Sequence, residues 1–184
     1  MFLLEAIDLQ KILNILIFNF TLLSLNGQAK VLYVDSHGFS VENKVEIKKS
    51  SGEVWKSLVN DVDLWWPKEH SWFGNGGRFY IETKAGGCFC EVSGDKSAEH
   101  MRISFVEPQK LLRMTGGLGP LQGMGMYGSM DWKFSEESGV TTVILKYKVS
   151  GYSPDGFEQL APIVAKVQGL QLEGLKTFLD KGHQ

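Results

Sequence analysis

From residue 39 to 47 the chain reads FSVENKVEI, with Phe39, Val41, Val45 and Ile47 on one side and Ser40, Glu42, Lys44 and Glu46 on the other. This period of two predicts a half-buried strand. The following SGEVWKSLVND changes period: Val54, Trp55, Leu58 and Val59 recur at helical spacing. Ser50 or Ser51 is placed to cap the helix, and Glu53 lies in its first turn. Beyond Trp65-Trp66-Pro67 the helical signal stops. Period two returns over residues 78–82, 88–92, 99–107, 111–115, 127–135 and 141–149, with Gly, Pro, Ser and Asp between the runs. That succession reads as an antiparallel meander. From Pro154 the spacing lengthens again, with Phe157, Leu160, Ala161, Val164, Val167, Leu172, Leu175, Phe178 and Leu179 at three or four. One long amphipathic helix is expected there. Pro162 would cost about 3 kcal/mol in a helix interior, so the helix is expected to start near it, or else to kink. The fold class is therefore α+β, a sheet that must curl to cover one helix.

Composition narrows this little further. A chain of 184 residues, 43% apolar and 22% charged, suits one globular domain with a substantial core. The net charge of −2 offers no basic field for nucleic acid or an anionic membrane. The start of the chain differs, because residues 12–25 form the apolar run ILNILIFNFTLLSL and Asn26-Gly27-Gln28-Ala29 follows. This reads as a secretory leader over residues 1–29 with cleavage after Ala29, leaving one domain over 30–184 in the periplasm or outside the cell. The run is shorter than the roughly 20 apolar residues of a membrane span, so no stable span would remain after processing. Glu5 and Asp8 against Lys11 give the wrong charge for a leader. The alternatives are a docked amphipathic helix or a misassigned start, either of which leaves the protein cytoplasmic.

The stretch GGLGPLQGMGMYG, residues 116–128, ends in the spacing GxGxxG. A dinucleotide loop leaves a strand and opens a helix whose amides hold the phosphates. Here a strand pattern, SMDWKF, follows instead, so a hairpin is expected and no nucleotide or other cofactor is implied. Leu118, Leu121, Met124 and Met126 are unusually apolar for a solvated loop, which must pack down or line an opening.

The order of Trp65-Trp66-Pro67 with His70-Ser71-Trp72, then Gly86-Gly87-Cys88-Phe89-Cys90-Glu91, then Glu99-His100-Met101-Arg102, then Gly116-Gly117-Leu118-Gly119-Pro120-Leu121-Gln122 resembles the START-like SRPBCC superfamily. The likeness is to its bacterial polyketide cyclase-like or heat-shock ATPase activator-like branch, over roughly residues 36 to 180. It implies a helix-grip fold: a curved antiparallel sheet around a long C-terminal helix, with two short helices after the first strand. It implies function less narrowly, since such proteins include lipid carriers, receptors, cyclases and chaperone partners. A leader would fit a cytosolic chaperone partner poorly.

Trp65, Trp66, Trp72, Met101, Leu118, Met124, Met126 and Trp132 form an aromatic and thioether set suited to lining an adaptable apolar cavity, with Asn43 as a polar anchor or a satisfied core amide. Glu69, His70, Glu91 and His100 are candidate acids and bases; of these His70, Glu91 and His100 are the candidate catalytic residues. Only two cysteines exist, Cys88 and Cys90, so no disulfide framework is expected. They face one side of a strand, and a hairpin about Asp95 and Lys96 brings His100 near Cys90 or Glu91. Two small buried thiols, a labile disulfide, and a zinc or copper site of Cys88, Cys90 and His100 stay open. The leading expectation is the binding of a lipid- or polyketide-like small molecule between sheet and terminal helix. The alternatives are a cofactor-independent cyclase or dehydratase and a protein-interaction module.

Overall fold

The computed structural model describes residues 29–182, so the leader expected over residues 1–29 lies almost wholly outside the described residues. Eight strands form one sheet in the order β1-β2-β8-β7-β6-β5-β4-β3, and every neighbouring pair is antiparallel. They are β1 (Lys30–Asp35), β2 (Gly38–Ile47), β3 (Arg78–Ile81), β4 (Cys88–Ser93), β5 (Lys96–Glu107), β6 (Leu111–Gly116), β7 (Tyr127–Glu137) and β8 (Val140–Ser150). Between β2 and β3 lie α1 (Ser51–Asn60) and α2 (Val62–Trp65), and a short turn, α3 (Pro120–Gly123), links β6 to β7. A long helix, α4 (Leu160–Lys181), closes the fold. This is the curved sheet and terminal helix of a helix-grip arrangement. Among the described residues no helix is long and apolar enough to cross a membrane.

Local chemistry explains the main elements. Ser50 caps α1 by accepting from the Glu53 amide while the Glu53 carboxylate accepts from the Ser50 amide, a complete capping box. Helix α4 starts at Leu160, which puts Pro162 in the first turn, where its missing N–H leaves no hydrogen bond unmade. The inward faces of β2, β7 and β8 bury Phe39, Val41, Val45 and Ile47, then Met130, Trp132 and Phe134, then Val143, Leu145, Tyr147 and Val149. Leu172, Leu175 and Leu179 of α4 belong to the same core, and the outer face carries charge, as in the bidentate Arg113–Asp131 pair of β6 and β7.

Three features depart from the pattern in the sequence. The edge strand β1 is mostly exposed, with Val31 and Leu32 half-buried side by side, so no alternation marks it. Its pairing with β2 also shifts between Val31 and Tyr33. The glycine stretch carries the turn α3 within the expected hairpin, and it tolerates no side chain at Gly128, where a Cβ would meet the Tyr147 ring at 2.6 Å and the Lys148 carbonyl at 2.5 Å. Finally, of the three alternatives left open for the cysteines, the disulfide is the one present: Cys88 and Cys90 are joined, with their Cα atoms 5.5 Å apart. Two residues in an ideal strand lie about 6.6 Å apart. The observed span is shorter than that and sits at the usual separation of a disulfide. Both sulfurs are consumed in the bond, which removes the paired-thiol and metal alternatives.

Candidate functional site

Helix α4 carries two adjacent apolar arcs. Ala161, Ala165, Leu172, Leu175 and Leu179 are buried in the core, and Gly169 lets β2 approach closely, since a Cβ there would lie 2.9 Å from Asn43 Oδ1. Leu160, Ile163, Val164 and Val167, with Gln168 and Gln171, line a cavity of about 330 Å³. The spacing of this second set, at three and four, puts it along one side of the helix. The opposite wall is the β6–β7 connection with Leu118, Gly119, Pro120, Leu121 and Met124, and the remaining walls are Trp66, Glu69, His70, Ser71, Trp72, His100 and Tyr147. Trp72, Met124 and Ile163 are 52%, 48% and 59% exposed, so they form an apolar rim where the cavity opens to solvent.

Tyr147 fixes the glycine wall. Its hydroxyl donates to the Gly116 carbonyl at 2.7 Å and accepts from the Leu118 amide at 3.0 Å, which ties the start of the connection to β8. Burial pushes its phenol up to about 12, against the hydrogen bond from Leu118, so it remains a neutral strut.

A polar network stands behind the wall that Ser71, Trp72 and His100 form. The fully buried Glu91 accepts hydrogen bonds from the Ser71 hydroxyl, the Trp72 amide at 3.1 Å, the Phe73 amide at 3.2 Å and His100 Nε2 at 3.0 Å. Burial alone would raise its pKa, but the donors from Ser71, Trp72, His100 and Phe73 outweigh it and hold the carboxyl below the ordinary glutamate range. Gly77 makes room for this carboxylate, since a Cβ there would lie 1.9 Å from Glu91 Oε1. His100 packs against the rings of Phe79 and Phe89, with centroids 5.4 and 5.1 Å away. Burial lowers its pKa more than Glu91 raises it, so the imidazole is neutral near pH 7. A neutral His100 that donates Nε2–H to Glu91 keeps the Nδ1 lone pair, and no hydrogen bond to Nδ1 occurs among the described residues. His70 is likewise lowered by burial, against the charge of Glu69, and its Nδ1 lies 3.5 Å from the Gln171 amide nitrogen.

Of the residues singled out in the sequence, Trp66, Trp72, Leu118, Met124, His70 and His100 line the cavity. Glu91 stands one shell back, bonded to His100. Trp65, Met101, Met126 and Trp132 are packed core, and the void touching Trp65 and Trp132 is about 10 Å³, no more than room for a water. Asn43 donates to the Ala165 carbonyl at 3.1 Å and so ties β2 to α4, away from the cavity wall. The sequence reading put Leu160, Val164 and Val167 on the apolar face of the terminal helix without assigning them to the site, and it did not single out Ile163, Gln168, Gln171, Tyr147 or Ser71 as site residues. Two glutamines, Gln168 and Gln171, on an otherwise apolar helical stripe were the available signal.

No protein-family profile and no curated protein matches this chain. Solved structures do resemble it. CalU16 from Micromonospora echinospora aligns at TM-score 0.57 and 16% identity, over 83% of this chain and 85% of that one. A conserved protein of unknown function from Enterococcus faecalis, EF2215, aligns at 0.56 and 14%, over 82% and 75%. MLL2253 from Mesorhizobium loti aligns at 0.55 and 18%, over 79% and 99%. At these identities the likeness is one of fold.

Proposed function

We propose that this protein is a START-like SRPBCC domain that binds an apolar or amphipathic small molecule, lipid- or polyketide-like, in the void between α4 and the glycine wall. The cavity of about 330 Å³ carries this reading. It is about twice the apolar cavity of ~150 Å³ that takes a benzene ring, and it falls in the range of small-molecule sites. Burying about 200 Å² of ligand hydrocarbon contributes about 5 kcal/mol, so polar contacts must supply the remainder of a tight affinity. The Cys88–Cys90 disulfide supports placement in an oxidising compartment, as the leader reading requires.

The test is titration with the uncharged fluorophore N-phenylnaphthylamine. Saturable one-to-one binding is expected, and Val164→Trp, which fills the void from α4, should weaken it at least about tenfold while the protein stays folded. Equal binding to wild type and variant would overturn the reading.

The Glu91–His100 pair supports a second reading, in which His100 Nδ1 accepts a proton from an enolisable guest as in cyclase or dehydratase chemistry. Deuterium exchange at the α-carbon of methyl heptyl ketone, followed by proton NMR, should then exceed the background rate and return to it in His100→Gln.

A further inference from the structure

The cavity wall is not evenly greasy. Gln168 is 1% exposed, and among the described residues neither its amide oxygen nor its amide nitrogen has a hydrogen-bond partner. Gln171 Oε1 and Trp66 Nε1 are also buried and unpartnered. All three residues belong to the cavity wall, Gln168 and Gln171 on α4 and Trp66 after α2. Buried polar atoms are almost always paired, because leaving one bare costs the hydration it has lost. Four such atoms, two donors and two acceptors, belong to residues that line one void.

The wall's formal charge is equally selective. Among the described residues, Glu69, at the mouth, is the only Asp, Glu, Lys or Arg that lines the cavity. His70 and His100 are both held neutral by burial. A carboxylate or phosphate carried inside would find no cation on the wall, and an ammonium placed deep would meet no anion there, since Glu91 lies behind the wall with its oxygens already taken by four donors, so either would retain most of its desolvation cost.

We propose that the cavity selects an uncharged amphipath whose polar end offers a hydrogen-bond donor beside an acceptor, as a primary amide or lactam does, and seats that end against Gln168 with Gln171 and Trp66 around it. This rests on the ligand-binding reading above. The Gln168 carboxamide meets a ligand amide as amides meet one another, N–H to oxygen in both directions. The hydrocarbon end then lies toward Leu118, Val164 and the rim. In the empty protein the bare amide is a destabilising feature, and ligand recovers what it costs.

The experiment is displacement of N-phenylnaphthylamine at pH 7.5 by octanamide, octanoate and methyl heptyl ketone, three probes of similar size. Octanamide should displace the fluorophore at about tenfold lower concentration than octanoate, with the ketone, an acceptor only, between them. In Gln168→Leu the amide and the ketone should come within about twofold of each other, while the melting temperature of the empty variant holds or rises. A glutamine that served only the fold would lower that temperature and leave the amide preference in place. If Gln168→Leu fails to fold, Trp66→Phe removes one donor and should weaken the ketone and the amide alike. Octanoate binding as tightly as octanamide, or an amide preference that survives Gln168→Leu, would overturn the proposal while leaving a ligand-binding cavity intact. Absence of fluorophore binding in the wild type would overturn both.

Discussion

Replacing Glu91 by Gln removes a charge without changing shape, and the geometry fixes what that costs. Oε1 receives the Ser71 hydroxyl and the Phe73 amide, whereas Oε2 receives His100 Nε2 and the Trp72 amide. A carboxamide has one oxygen, so either orientation turns its NH2 toward a backbone N–H. Ser71 can rotate and His100 can change tautomer, but neither backbone amide can reverse. One buried donor is orphaned at about 1–3 kcal/mol, and the surviving bonds lose their charge assistance, for a total of about 3 kcal/mol. At roughly 2–4 °C per kcal/mol for a domain of this size, the melting temperature at pH 7.5 should fall by about 6–12 °C. Circular dichroism thermal scans measure it. In the same variant His100 loses both influences that raise its pKa, so its imidazole should titrate lower still in an NMR pH series. Gly77→Ala crowds the same carboxylate from the other side and should lower the melting temperature in the same direction. A Glu91→Gln protein that melts within about 1 °C of wild type would refute the claim that four convergent donors require an anion.

Tyr147→Phe leaves the Gly116 carbonyl and the Leu118 amide without their shared partner and should cost about 1–3 kcal/mol. Ligand affinity should fall with it, because the glycine wall loses its strut; displacement assays and thermal scans read the two effects. Reducing Cys88–Cys90 opens a loop with a sequence separation of only 2, so the chain-entropy cost is below about 2 kcal/mol. The reduced protein should therefore remain folded in thiol, with a melting temperature lower by a few degrees. Stability should also fall as pH drops through about 6.5, because the unfolded chain protonates His70 and His100 there while the folded protein resists. Below about 4.5 a second loss is expected: the unfolded chain takes up a proton that Glu91, lowered in the fold, accepts only at more acid pH. Denaturant titrations from pH 4 to 8 test this, and His100→Gln should flatten the upper part of the profile.

The sequence by itself determined the elements whose burial repeats locally. The alternation of β2, β7 and β8, the capping box of α1, the beginning of α4 near Pro162 and the hairpin that brings His100 to Glu91 are all set by neighbours a few residues apart. Tertiary structure alone decided the rest. β1 carries no alternation because it is a mostly exposed edge, with Val31 and Leu32 half-buried side by side. Two cysteines on one side of a strand fit free thiols as well as a bond, and only the folded β4 shows Cys88 and Cys90 joined. Trp65, Met101, Met126 and Trp132 are the same kinds of residue as Trp66, Trp72 and Met124, yet the first four fill core and the last three meet a void. No periodicity separates them, because a cavity is the space that distant elements fail to fill. Here it exists because the apolar arc of α4 is wider than the face the sheet covers.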